Sequence, residues 1–196
     1  RCSVDMRVKY YEDNLNQDRM EKRDVLKLLK DDDSRLDILP KLTQTNDPEI
    51  IWEIISLFDA EKIEVRGEVF STLFLNENDI LEQLLKGLKH ESKNVRGYTL
   101  LVIANRNEKD ATKEIIELTN DSSGLVRTCA YGALGHLKVK ESSKELHQGI
   151  FDSNLEAVKS AAYALARIKE KISQEEIDSM KRLERIDFEK IFKFFN

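Results

Sequence analysis

The sequence predicts an all-α protein, a right-handed α-α superhelix (α-solenoid) of about six antiparallel helix pairs. Three observations carry that expectation. Gly (7) and Pro (2) are scarce among 196 residues, which leaves few turn residues for a β-rich fold. A short motif returns about every thirty-one residues, as stacked structural units require. Within each copy the apolar residues keep helical spacing.

The motif is Val65-Arg66-Gly67-Glu68-Val69-Phe70, then Val95-Arg96-Gly97-Tyr98-Thr99-Leu100, Val126-Arg127-Thr128-Cys129-Ala130-Tyr131 and Val158-Lys159-Ser160-Ala161-Ala162-Tyr163. A weaker copy begins at Ser34-Arg35. Its basic residue recurs at 35, 66, 96, 127 and 159, with gaps of 31, 30, 31 and 32. Following Arg127, the residues Ala130, Ala133, Leu134 and Leu137 share one face of a helix. The same offsets give Thr99, Val102 and Ile103 after Arg96, and Val69, Thr72 and Leu73 after Arg66.

Other helices, with their own stripes, lie between these. Ile80, Leu81, Leu84, Leu85 and Leu88 form one, and Ile115, Ile116 and Leu118 another. The predicted pairs are 20–30 with 34–45, 48–58 with 63–75, 78–89 with 93–105, 109–119 with 124–137, 141–150 with 155–169, and 173–185 with 187–195. Asn46-Asp47-Pro48 places proline in a first helical turn, and Asp121-Ser122-Ser123-Gly124 separates two helices. Pro40 should kink the helix that contains it.

Asp121 through Leu137, with Asp152 through Ile168 closing on Ala-Tyr-Ala-Leu-Ala-Arg-Ile, resembles the second half of a HEAT repeat, particularly the short phycobilisome-lyase type. The resemblance covers roughly residues 30–170. It implies that second helices line the concave side of the solenoid and first helices the convex side. It also implies that the recurring cation meets a turn carboxylate, with Asp59, Asp121 and Asp152 as candidates. Val69, Phe70, Leu100 and Ile103 stand where the family prefers small residues, so those helices should sit farther apart. The resemblance says little of function, since such repeats serve adaptors, scaffolds and a few enzymes.

Composition narrows the classes. Net charge is −5, divided as −4 over residues 1–60, −2 over 61–120 and +1 over 121–196. A nucleic-acid partner is not expected from such a balance, and only the last third leaves room for a basic stripe. Cys2 and Cys129 are distant, which suggests a reducing compartment and a cytoplasmic protein. The apolar run Leu100 to Ala104 is too short to span a membrane, and the first residues carry no apolar leader. Residues 1–19 read as an N-terminal extension, in which Arg1 to Asp5 look unrelated to the rest of the chain and Met6 is an alternative start. Residues 20–196 read as the solenoid.

No metal site or cofactor is expected. His90, His136 and His147 lack the spacing of a helical zinc site, and the single His90-Glu91 pair falls in a turn. Cys129 reads as a small packed residue and Trp52 as an anchor among apolar neighbours. The expected role is a non-enzymatic scaffold that binds a protein or peptide. Its concave-face candidates are Tyr98, Leu101, Asn105, His136, Tyr163 and Arg167, with Glu68 and Cys129 on the same ridge. The alternatives are an enzyme of the HEAT-like DNA-glycosylase or metal-hydroxylase kind, or a self-associating subunit.

The last segment has its own signal. Ser173 and Glu176 form a capping-box pattern. Phe188, Ile191, Phe192 and Phe195 make an apolar stripe that should fold back as a cap on the array. The competing expectation is a docking helix for a partner or for a second copy of the chain.

Overall fold

The computed structural model describes residues 20–183 and 189–195, and every regular element among them is helical. Helix α1 (Lys22–Lys30) precedes α2 (Arg35–Ile38), which continues as a 3-10 turn, Leu39–Leu42. Then α3 (Pro48–Ser56) pairs with α4 (Ile63–Leu75), and α5 (Leu81–Gly87) with α6 (Lys93–Asn105). Helix α7 (Thr112–Glu117) pairs with α8 (Gly124–His136), and α9 (Ser143–Gly149) with α10 (Leu155–Ile168). The chain goes on through α11 (Gln174–Arg182) to a short α12 (Glu189–Phe192). Asp187 and Phe188, where the sequence pattern starts the last helix, lie outside the described residues. No described helix is long and apolar enough to cross a membrane.

Local chemistry sets the boundaries. The Asp47 carboxylate accepts from the Glu49 and Ile50 N–H groups at 3.0 and 3.1 Å, with Pro48 filling the first turn of α3. Ser173 and Glu176 form the reciprocal capping box that opens α11. Pro40 supplies no N–H, and the chain changes from α to 3-10 geometry at Leu39 rather than continuing as one bent helix.

The second helices α4, α6, α8 and α10 begin at 63, 93, 124 and 155, and left-handed residues Asn107, Lys138 and Lys169 follow the last three. This corrects the register of the final copy. Its spacing is 31, so Val158 rather than Lys159 occupies the place of Arg127, and it is 1% exposed. Lys159 matches Thr128 instead and pairs with Glu156 of its own helix at 3.3 Å. The one-residue slip also separates the two tyrosines. Tyr131 is 4% exposed and Tyr163, which matches Gly132, is 40% exposed.

Second helices pack on second helices along the whole row, and most closely from α6 to α10. The first helices of that stretch touch one another much less. Over that stretch two layers of unequal spacing curve toward the tighter one, so α6, α8 and α10 line its concave side. Small residues permit the tight end: a Cβ on Gly135 would lie 2.7 Å from the Ala164 Cα. Larger residues hold α4 and α6 farther apart, where Val69, Leu100 and Ile103 are fully buried.

Ion pairs join the turns of successive repeats. Arg96 meets Asp121 through Nε and Nη2 at 2.8 and 3.0 Å, and Arg127 meets Asp152 in the same way at 2.7 and 2.8 Å. The two N-terminal cations differ. Arg35 pairs with Asp32 of the preceding turn, and Arg66 lies over the Tyr98 ring at 5.6 Å with no ion pair among the described residues. The residue 31 before Asp121 is His90, whose Nδ1 accepts from the Ser92 N–H as Asp121 accepts from Ser123. His90 keeps the turn but offers Arg66 no carboxylate. Asp59 accepts from Ser92 and Asn94 instead of from an arginine.

Burial opposes ionisation of Asp121 and Asp152, but their arginines and nearby N–H groups outweigh it and hold both carboxyls below the usual range. Burial likewise opposes ionisation of Glu176, which the Ser173 N–H and His147 overcome. A depressed folded-state pKa contributes stability that is present above the unfolded value and lost as pH falls through the folded one. The melting temperature should therefore hold from about pH 7 to 5 and fall below about pH 4. Asp152→Asn, which removes one titrating partner, should flatten that acid limb. An equally steep limb in the variant would contradict the assignment.

Candidate functional site

The concave ridge is built by register. Each second helix turns one flank away from the core, and equivalent positions line up across neighbours. Ser71, Leu101, Gly132 and Tyr163 form one row, and Leu75, Asn105, His136 and Arg167 the next. All six residues expected on the concave face belong to these rows or to the adjoining one with Glu68, Tyr98, Cys129 and Ser160.

The structure brings three of the six together. His136, Tyr163 and Arg167 line a cavity of about 310 Å³ between α8 and α10, over a floor of Gly132, Gly135, Ser160 and Ala164. The floor is small because these helices approach so closely. The side chains of His136 and Arg167 are exposed and make no hydrogen bond or ion pair among the described residues. The Ser160 hydroxyl donates to the Thr128 carbonyl at 2.8 Å, and its oxygen remains as an acceptor. Phe194 meets the Tyr163 ring edge-on at 5.8 Å, so the C-terminal segment forms one wall of the neighbourhood.

The other three sit on α6, outside this cavity. Tyr98 is half-buried, stacked on Phe58 at 5.4 Å and with the Arg66 guanidinium 5.6 Å from its ring centre, so its ring is already engaged in packing. Leu101 is half-buried. Asn105 is exposed, yet its Nδ2 donates to the Leu101 carbonyl of its own helix at 2.8 Å.

Sequence reading missed the floor. Its signal was present in Ala130-Tyr131-Gly132-Ala133-Leu134-Gly135 beside Ala161-Ala162-Tyr163-Ala164, where small residues recur at helical spacing. Other residues with chemical potential have structural surroundings. The Trp52 ring lies 5.7 Å from His90 and under the Lys86 ammonium at 3.9 Å. Burial pushes the Cys129 thiol up to about 11, so it remains protonated near neutrality. Among the described residues no three His, Cys, Asp or Glu side chains are grouped to hold a metal ion.

A family model for HEAT repeats matches residues 81–166, the stretch that holds the regular ion-paired repeats. No curated protein matches the chain. Similar solved structures are designed armadillo repeat proteins. One, in complex with peptide (KR)4, is 19% identical with a TM-score of 0.52. A second, of design YIII(Dq)4CqI, is 20% identical with a TM-score of 0.53. A third, computationally designed for modular peptide recognition, is 18% identical with a TM-score of 0.51. Each alignment covers 89% of this chain and 96% of the other. At such identities the likeness is one of fold.

Proposed function

We propose that the chain is a non-enzymatic, cytoplasmic scaffold that holds an extended segment of a partner protein along its concave ridge. One observation carries this reading. The tight end of the groove presents the unpaired Arg167 and His136 beside the exposed Tyr163, and arginine and tyrosine are favoured interface anchors. The fold adds support, since designed proteins of similar architecture have been solved with a peptide or built for modular peptide recognition. On this reading Leu101 and Asn105 extend the contact toward α6, and Tyr98 supports the ridge from below. The Ala-rich second halves at 121–137 and 152–168 support the finer likeness to the phycobilisome-lyase type of repeat.

A peptide-display selection tests it. Ligands enriched on the protein should lose binding to a Tyr163→Ala, Arg167→Ala double variant that melts like the parent. They should keep binding to a variant changed on the first-helix side, at exposed Lys144. Ligands indifferent to the groove variant would sink the proposal.

The same reading makes residues 20–196 one solenoid whose C-terminal segment closes the end of the array. Ile191 is 1% exposed, and Phe192 and Phe195 pack against the core. Removing residues 187–196 should lower the melting temperature and promote aggregation, because the end of the last repeat is uncovered. An unchanged melt with loss of self-association would favour a docking helix instead.

A further inference from the structure

The turns that leave the second helices repeat charge as regularly as the turns that enter them. Lys138 and Lys169 occupy left-handed positions, where glycine or asparagine is the usual choice. Lys109, Lys140 and Lys171 follow at intervals of 31. All five lysines are exposed, and none makes an ion pair among the described residues. They adjoin His136 and Arg167 in the last turns of α8 and α10, neither of which makes an ion pair among the described residues. On the entry side, by contrast, the charges of Arg96 and Arg127 are taken up by Asp121 and Asp152. One edge of the inner layer is neutralised in pairs, and the other carries an open row of cations.

A single lysine in each last turn would complement the helix dipole. A pair at each of two successive exits, one of them in a strained backbone conformation, exceeds that need. We propose that this exit edge, with the cavity beside Tyr163, recognises an acidic extended segment of a partner protein with carboxylates at every third residue. The inference rests on the groove-binding reading above and specifies the class of its ligand.

The spacing follows from packing. Neighbouring helices lie about 8–10 Å apart, and a chain in the polyproline II conformation advances about 3.1 Å per residue with about three residues per turn, so every third side chain faces the same way. Every third side chain of the segment therefore meets a new repeat. Residues between the carboxylates face Leu101, Tyr163 and Phe194, which suits small apolar side chains. A nucleic acid fits less well. Asp110, Glu141 and Glu170 are set among the lysines, and the chain carries a net charge of −5. A continuous phosphate backbone would meet those carboxylates, whereas a peptide places its charges only opposite cations.

The test is fluorescence anisotropy with a labelled (Glu-Ser-Val)4 peptide, read against (Lys-Ser-Val)4 and a twelve-base-pair DNA duplex. The acidic peptide should bind, and a Lys140→Glu, Lys171→Glu double variant should weaken it about tenfold or more. If that variant fails to melt like the parent, Lys140→Gln, Lys171→Gln serves in its place, with a smaller loss expected. Binding should also weaken with added salt. Equal or tighter binding of the lysine peptide, equal binding of the duplex, or indifference to the lysine changes would overturn the proposal. If the acidic peptide does not bind but display ligands still need Tyr163 and Arg167, the acidic class is wrong and the groove reading stands. If the display ligands ignore the groove as well, both fall.

Discussion

Leu134→Asp should destabilise the protein by about 4 kcal/mol, since it places a carboxylate with no partner in apolar surroundings. Leu134 is 0% exposed, in the last turn of α8, the helix flanked by the closest contacts of the array. The substitution removes packing on both sides and demands either a buried charge or a protonated acid. Contacts run only between neighbours, so loss should begin in the repeats around α8 and spread outward. Hydrogen exchange should show α6, α8 and α10 opening together while α1 to α3 keep their protection. The melting temperature should fall by roughly 10 °C or more. Leu125→Asp is the control in the same helix. Leu125 is 40% exposed, and its replacement should cost well under ~1 kcal/mol. Equal damage from the two changes would contradict the facing of α8.

Arg106 carries the second large effect. Its side chain is 9% exposed and reaches back across a repeat boundary. Nε donates to Glu108 at 2.9 Å, Nη1 to the carbonyls of Leu73 and Asn76, and Nη2 to the Asn78 carbonyl at 2.9 Å. The end of α4 has no left-handed cap of the kind found after α6, α8 and α10, and this guanidinium serves the carbonyls there instead. Arg106→Met keeps much of the volume but strips four acceptors of their donor, for a cost of about 3 kcal/mol. Arg106→Lys should recover less than half of that, since an ammonium cannot reach acceptors spread over so wide a fan. Denaturant unfolding measures both. Parent-like stability of the methionine variant would show that the clamp contributes nothing.

Much of the architecture was legible because stacking enforces a beat on the sequence. The pairs from α1 to α10 fall close to the expected ranges, and Asp47, Pro48 and Ser173 mark the helix starts that their chemistry requires. The ladder was legible only in part. Arg96 and Arg127 announce themselves by position, yet pattern matching aligned Lys159 with them because Val158-Lys159 and Tyr163 copy the earlier motif one residue out of step. The helix starts decide the register there: α10 begins 31 residues after α8, which puts Val158 in the place of Arg127 and leaves Lys159 beside Glu156. Arg106 left no trace in the repeat because three of its four partners are backbone carbonyls, which every sequence supplies. The groove was legible as a row of positions. Its division into a packed part around Tyr98 and an open part around Tyr163 was not, since that depends on Phe58 and Phe194 arriving from distant segments.

The unequal rungs give the molecule a gradient of stiffness. From α6 onward the repeats are riveted by paired charges and close helix contact, and they should behave as one lever. At the Arg66–His90 joint the rivet is replaced by a cation resting on a ring, a contact that tolerates sliding. Pulled from its two ends, the chain should not yield like a uniform spring: the entry edge between α4 and α6 should open while the Arg106 clamp holds their exit edge as a pivot. A ligand gripping both sides of that joint would feel it as a wrist, able to adjust the entry angle of one half without disturbing the grip of the other.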